Sequence, residues 1–404
     1  MSSSLPDTPA LAGELAGARW YGGKGAAIVG VDEDDRLELG DGVCLHVLRV
    51  RADGRPDERY LYLTGEDRLA APLLRLMAEG RRSGDWAFQP GALFSELLPG
   101  DGGQRPIGSD QSNTTLVAGE RLALKLYRRL EPGPHPDIEL GRYLTEQAGL
   151  DAVPAYAGCL HWGEYGIAML QAYVPDAEEG WRWGSRAVQE GDLADISRLG
   201  AVTAILHAAL AEPEQRPATS DQLRGWREAA DRQLERALAL VDADTARELA
   251  GYAERLREEF AALEASPPPQ LSRVHGDYHI GQVLRSADGL RVVDFEGEPT
   301  RSLAERNALG TPLRDVAAML RSFDHLARHV DRDLMPGHPR QIEAWISNAR
   351  EAFLEAYGDH DPRLLRALEA EKETYEFVYA ATFLPEWTYA AMGGMRWLMG
   401  VRAQ

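Results

Sequence analysis

Apolar and polar positions follow two rhythms along this chain, and the change between them falls near residue 175. In the first part the apolar residues come in short, β-favouring runs. Residues 43–50 and 59–63 are two such runs, and Asp53-Gly54 between them has the turn chemistry of a hairpin. Residues 70–77 space their apolar side chains as a helix does. Further on, residues 111–116 lead into a strand, Gly119-Glu120 marks a turn, and residues 122–127 (Leu-Ala-Leu-Lys-Leu-Tyr) form a second strand. Residues 137–147 predict a helix with Glu139 in its first turn. Residues 168–174 predict a third strand, closed by Pro175.

Beyond Pro175 the helical period dominates. Apolar residues recur at helical spacing over 193–210, and two long amphipathic stretches cover about 220–264. Ser266-Pro267-Pro268-Pro269 stops the second stretch. Four more helices are predicted over 313–329, 340–357, 362–381 and 387–401. The pattern is that of an α+β protein in three parts: a β-rich unit over 1–90, a second set of strands over 91–175, and a mostly helical part over 176–404.

Composition narrows the class. The 404 residues are 44% hydrophobic and 27% charged, enough for two or three domains with a large core. A formal net charge of −20 argues against nucleic acid or an anionic membrane as partner, since both require a basic surface. It suits a neutral or cationic small molecule. Two cysteines, Cys44 and Cys159, make neither a metal pair nor a disulfide framework and read as reduced core residues. The N-terminus lacks the basic and apolar regions of a signal peptide, and no run of about 18 apolar residues stands out. A cytoplasmic protein, monomer or homodimer, is expected.

The chemistry is concentrated in residues 275–298. His275-Gly276-Asp277 reads as a strand-to-loop transition with a carboxylate at its tip. Gln282 follows five residues later, and its amide oxygen is a hard ligand suited to magnesium. Asp294 ends the apolar run Leu290, Val292, Val293, and Glu296 shares its side-chain direction if the backbone stays extended. One carboxylate to accept a hydroxyl proton, with an amide and carboxylates to hold magnesium against ATP, are the parts of a phosphoryl-transfer site. Lys125 adds a second signal, because a lysine inside an apolar strand needs a charged partner. Other residues have simpler readings. His207 sits in an Ala- and Leu-rich helix and reads as packed. Arg321 and Asp324, three apart, read as a local ion pair. Residues 19–25 (Arg-Trp-Tyr-Gly-Gly-Lys-Gly) form either a turn around a buried Trp or a loop whose Lys24 reaches a ligand or a second lobe.

Residues 275–298 resemble the catalytic and metal-binding segment of the aminoglycoside phosphotransferase-like kinases, relatives of protein kinases. Within that group the chain is most similar to actinobacterial maltokinases and the related glucosamine kinases. The shared pieces are residues 19–25, Gln111-Ser112-Asn113-Thr114-Thr115, residues 275–284, Asp294-Phe295-Glu296-Gly297-Glu298-Pro299 and residues 312–324. The resemblance implies a bilobal protein-kinase-like fold. In it, 1–90 is a cap subdomain, 91–175 the rest of the N-lobe with the nucleotide-binding strands and hinge, and 176–404 a helical C-lobe with the catalytic loop and sugar site. It implies that Asp277 is the catalytic base, and that Gln282 and Asp294 bind magnesium with Glu296 beside them. Lys125 would hold the ATP phosphates and pair with Glu139. Ser112, Asn113 and Thr114 would cover the phosphates, and Gln171, Tyr173 and Val174 would form the hinge that meets adenine. Asp315 would brace the catalytic loop.

The acceptor is a sugar by the same resemblance. Residues 371–379 resemble the corresponding maltokinase helix, but 381–387 (Ala-Thr-Phe-Leu-Pro-Glu-Trp) lack the basic stretch that follows it in maltokinases. Carboxylates remain (Glu373, Glu376, Glu386), and an acidic pocket would pair with a protonated amine. Trp387 offers a face for a pyranose. Tyr375, Tyr379 and His279 complete the expected substrate-facing set. The reading is therefore transfer of phosphate from ATP to the 6-hydroxyl of glucosamine. The alternatives are maltose, phosphorylated at its anomeric hydroxyl, and an aminoglycoside.

Overall fold

The computed structural model describes residues 5–100, 103–107, 113–264 and 267–401. Gln111 and Ser112 lie outside the described residues. The chain divides into two compact units: Met1–Asp176 with Arg301–Asn307, and Ala177–Thr300 with Ala308–Gln404.

The first unit holds two antiparallel sheets. One has the order β1-β2-β3-β9, built from β1 (Ile28–Gly40), β2 (Val43–Ala52), β3 (Glu58–Thr64) and the short β9 (Arg129–Leu130). The other contains β4 (Arg82–Ser83), β5 (Trp86–Pro90), β6 (Gln104–Ile107), β7 (Thr114–Ala118), β8 (Leu122–Leu126), β10 (Tyr156–Trp162) and β11 (Tyr165–Ala172). Its order is β4-β5-β10-β11-β8-β7-β6. The helices are α1 (Thr8–Gly17), α2 (Ala70–Ala78), α3 (Phe94–Leu97) and α4 (Pro136–Arg142).

The expected boundary near residue 90 does not separate two cores. Leu45 and Leu61 of the first sheet share one buried cluster with Leu124, Leu160 and Leu170 of the second. Both Trp86 and Trp162 also donate their indole N–H to Asp35 of β1, at 2.9 and 2.7 Å. Strand β1 escapes an apolar-pattern reading because most of it is not buried. It is held by pairing with β2 and by cross-strand ion pairs, Asp32 with Arg51 at 3.1 Å and Asp34 with Arg49 at 3.3 Å.

The 19–25 segment takes the turn reading. Tyr21, rather than Trp20, is its buried ring, packed on Tyr60 at 5.3 Å. Lys24 donates to the carbonyls of Ala16 and Ala18, at 3.2 and 2.7 Å, and so caps the C-terminus of α1. Cys44 and Cys159 are both buried and unbridged.

The second unit is helical: α5 (Gly180–Glu190), α6 (Ala194–Ala211), α7 (Ser220–Leu240), α8 (Ala243–Phe260), α10 (Leu313–His329), α11 (Pro339–Tyr357), α12 (Pro362–Phe383) and α13 (Thr388–Leu398). The intervening α9 (Leu303–Arg306) belongs to the first unit. Two short antiparallel pairs complete it: β12 (Arg216–Pro217) with β13 (Gln270–Leu271), and the hairpin β14 (Val283–Ser286) with β15 (Gly289–Val292). Helix α6 bears on the expectation that no run of about 18 apolar residues stands out. Over its 18 residues it reaches a mean hydropathy of 1.2, enough by length and composition to cross a membrane. Yet its buried face carries Asp195, Thr203 and His207. It packs so closely on α11 that a Cβ on Gly200 would lie 2.2 Å from the Phe353 carbonyl oxygen.

Candidate active site

The loop between β13 and β14 is fixed from below by one carboxylate. Asp315, in the first turn of α10, is 2% exposed. It accepts from the backbone N–H of His275 at 2.7 Å and of Gly276 at 3.0 Å, and His207 Nε2 lies 3.3 Å from the same oxygen that His275 reaches. Burial pushes the Asp315 carboxyl up. The His207 hydrogen bond, the nearby His275 and the Gly276 N–H outweigh it and hold the group below the usual range. His207 is packed, as its helix suggests, and Tyr357 Oη lies 3.1 Å from its other ring nitrogen.

His275 ties this loop to the next strand. Its Nε2 lies 3.0 Å from the Val293 carbonyl oxygen, which can only accept, so this nitrogen donates. Its Nδ1 is then free to accept from the Asp277 N–H at 3.4 Å. Gly276 has φ +85°, a region that favours glycine. Further along, Ile280 N–H donates to Ser322 Oγ at 3.1 Å, and His279 Nδ1 accepts from Gly281 N–H at 3.1 Å. A Cβ at Gly180, which opens α5, would lie 1.6 Å from the Ile280 carbonyl oxygen, so only glycine permits that approach. Asp277 is thus carried on a backbone held by α5, α10 and the hairpin.

Gln282 Nε2 donates to Asp294 Oδ2 at 3.0 Å, which leaves the amide oxygen available as a ligand. Asp294 has φ +70°, a left-handed conformation that is uncommon for a non-glycine residue and costs free energy. This corrects the extended-backbone argument for Glu296: the chain turns at 295–296. The turn itself brings Asp294 and Glu296 together, with carboxylate oxygens within 4.8 Å of one another. An amide oxygen and two carboxylates fit magnesium, a hard cation that prefers oxygen ligands.

In the first unit, Lys125 is 9% exposed on β8 and donates to Asp137 Oδ2 at 2.7 Å. The partner expected from the sequence is Glu139, but Glu139 is exposed on α4, whereas Asp137 is buried. Two residues along a helix turn the side chain through about 200°, so the two acids cannot face the same strand. Tyr127 also donates to Asp137, at 3.0 Å. Asn113 lies just before β7, and Thr114 begins it, with its hydroxyl accepting from Arg128 Nε at 2.8 Å. Gln171 lies near the end of β11, opposite Ala123. Tyr173 follows it, its N–H bound to the Arg121 carbonyl at 2.8 Å, and Val174 is half-buried.

A cavity of about 520 Å³ opens beside Asp277 within the second unit. Of the expected substrate-facing residues, His279, Tyr375, Glu376, Tyr379 and Trp387 line it. Glu373 does not. It is fully buried, accepting from Arg321 Nη1 at 2.8 Å, with His325 Nε2 at 3.3 Å. Arg321 also donates to Glu369 at 3.2 Å. The expected Arg321–Asp324 pair is therefore replaced, since Asp324 accepts from Arg328 at 2.6 Å. The reason is again helical geometry. Lys372, Tyr375, Glu376, Tyr379 and Phe383 share one face of α12, while Glu369 and Glu373 share another. Glu386 is exposed and is not among the lining residues.

Sequence reasoning missed Lys372, Glu298, Trp181 and His325, all of which line the cavity. Lys372 is paired with Glu376 at 3.0 Å. Burial works against its ammonium, but Glu376, Asp277 and Glu298 more than offset this and hold its pKa above the ordinary lysine value. For Glu376 burial is likewise outweighed, here by Lys372 and His325, and the carboxyl stays below its usual range. Burial lowers the His279 pKa despite Asp277 nearby. Spacing of i, i+3, i+4 on one helix was the signal that could have added Lys372 to Tyr375 and Glu376.

Replacing Arg321 by Met should leave Glu369 and Glu373 as buried charges with too few cations. The expected loss is about 3–5 kcal/mol of stability, measured by urea unfolding of this variant against the parent. A loss well below that would show that the two acids protonate or reach water.

The chain matches the phosphotransferase enzyme family over residues 103–370. It is 32% identical to a glucosamine kinase of Streptacidiphilus jiangxiensis over 312 residues, covering 71% of each chain. It is 30% identical to a glucosamine kinase of Mycolicibacterium smegmatis over 403 residues, covering 88% of this chain and 96% of the relative. Among solved structures, a glucosamine kinase in complex with glucosamine, ADP and inorganic phosphate superposes with a TM-score of 0.79 at 28% identity, covering 91% of this chain and 95% of the other. The fold is the bilobal, α+β kinase-like one that the motifs implied, and the chain belongs to the phosphotransferase enzyme family.

Proposed function

We propose that this protein is an ATP- and magnesium-dependent kinase that transfers the γ-phosphoryl group to the 6-hydroxyl of glucosamine, acting in the cytoplasm as a monomer or homodimer. The observation that carries the reading is the cavity beside Asp277, where a braced carboxylate opens onto an acidic space walled by rings. In phosphoryl transfer to an alcohol the protein chiefly positions the reactants and neutralises charge. Asp277 accepts the hydroxyl proton as the oxygen–phosphorus bond forms. Gln282, Asp294 and Glu296 are the residues that would hold magnesium, which supplies charge neutralisation on the phosphates. Lys125, fixed by Asp137, serves the ATP phosphates, while Asn113 and Thr114 cover them, and Gln171, Tyr173 and Val174 form the hinge.

The acceptor class follows from charge and shape. Three carboxylates, Asp277, Glu298 and Glu376, line the cavity with two cations, Lys372 and Arg321. Arg321 is already paired with the buried Glu369 and Glu373, which leaves the three acids facing the ammonium of Lys372. That excess of negative charge favours a protonated amine. Trp181 and Trp387, edge to face at 5.7 Å, offer an apolar wall for a pyranose ring. Both curated relatives named above are glucosamine kinases, which supports the same substrate.

Asp277→Ala should lower glucosamine-dependent ATP consumption by at least about 10²–10⁴-fold while leaving nucleotide binding, read by calorimetry, largely intact. Near-parent turnover would remove Asp277 as the base. Asp294→Asn should raise the magnesium concentration needed for half-maximal rate or abolish the rate. An unchanged magnesium profile would place the metal elsewhere. Glu376→Gln should raise KM for glucosamine more than KM for glucose. Equal effects on the two sugars would count against recognition of the amine by charge.

A further inference from the structure

The cavity is larger than one sugar needs. Pockets of about 300–1,000 Å³ hold ligands of drug size, and this one, at about 520 Å³, leaves space beyond a single hexosamine. Its long wall is one face of α12. Lys372 and Tyr375 stand at the reacting end: Asp277 is among the charges that bear on Lys372, and Tyr375 is hydrogen-bonded to Glu298. Phe383 stands eleven residues after Lys372, about 16 Å along the helix axis. Three rings mark that path. Tyr375 and Tyr379 lie 6.2 Å apart, and Tyr379 and Phe383 lie 5.1 Å apart, centroid to centroid.

The outer end of this ladder is open to solvent. Tyr379 is 37% exposed, Phe383 57% and Leu384 37%, although all three line the cavity. Contiguous exposed apolar side chains with a polar border mark binding surfaces in soluble proteins. Here the border is Lys372, Glu376 and Glu298, and the surface is continuous with the sugar-binding wall. Aromatic faces presented in series along a sugar site match the apolar C–H faces of successive pyranose rings, and no ring is needed at Phe383 to seat a single hexosamine near Asp277.

We propose that Tyr379, Phe383 and Leu384 form a second subsite for a further pyranose ring, and that the protein also phosphorylates glucosamine carried at the non-reducing end of a short amino-oligosaccharide. This rests on the glucosamine kinase reading above. The transfer balances as it does for the monosaccharide. The 6-hydroxyl oxygen of the terminal ring bonds to the γ-phosphorus of ATP, the bond from that phosphorus to the bridging oxygen of ADP breaks, and the hydroxyl proton passes to Asp277. The glycosidic bond is untouched, and the second ring lies outward over Phe383.

The test compares glucosamine with the β-1,4-linked glucosamine disaccharide as acceptors, by ATP consumption and by mass of the product. The expected result is a singly phosphorylated disaccharide formed with kcat/KM within about tenfold of that for glucosamine. Phe383→Ser should reduce the ratio of disaccharide to glucosamine kcat/KM about tenfold, the scale of one lost ring contact. Phe383 is mostly exposed, so the variant is expected to fold, and its rate with glucosamine reports that it has. Turnover of glucosamine with none of the disaccharide, or an unchanged ratio in Phe383→Ser, overturns the subsite and leaves the functional reading standing. No turnover of glucosamine itself overturns both.

Discussion

The active-site architecture of the second unit depends on the Asp315 carboxylate. It is buried and bound to two consecutive backbone N–H groups, so the loop that starts at His275 cannot relax without leaving a charge unsatisfied in the core. From that anchor the order spreads by single contacts. His275 joins the loop to Val293, Ser322 holds Ile280, and Gly180 lets α5 close over the same segment. The carboxylate proposed as the base is useful only when its position is set within a fraction of an ångström, and Asp277 inherits its position from these neighbours.

A second constraint comes from α12, which carries two sets of charges on adjacent faces. One face buries Glu369 and Glu373 against Arg321 and Arg350, a network in which both acids are withdrawn from water and Arg350 keeps 12% of its side chain exposed. The other face exposes Lys372 and Glu376 to the cavity. The buried set keeps the helix from rotating, because a turn of one residue would drive unpaired charge into the core. The pocket face is thereby held in register with Asp277. Acids three residues apart on one helix meet unrelated surroundings, Glu373 the buried network and Glu376 the cavity.

Much of this was legible before any coordinate. Residues 275–298 name the reaction through residue types alone, since few other chemistries need an aspartate, an amide and an acidic pair in that order. Most helices of the second unit follow from the spacing of their apolar residues, Lys125 stands out as a charge in an apolar strand, and Asp315 is named only through the family resemblance. The misses share one cause. Strand β1 is specified by cross-strand pairing, the partner of Lys125 by the direction of α4, and the fate of Glu373 by which face of α12 meets Arg321.

The sequence by itself determined the class of chemistry, because phosphoryl transfer requires particular functional groups and those groups are visible as letters in order. The tertiary structure alone decided which acids are available to a substrate. Burial and ion pairing are properties of neighbours distant in the chain, such as Arg321 for Glu373 at 2.8 Å, and no local pattern encodes them. The same holds for the aromatic ladder from Tyr375 to Phe383. Its spacing can be read along the helix, but only the packed structure leaves its outer end uncovered.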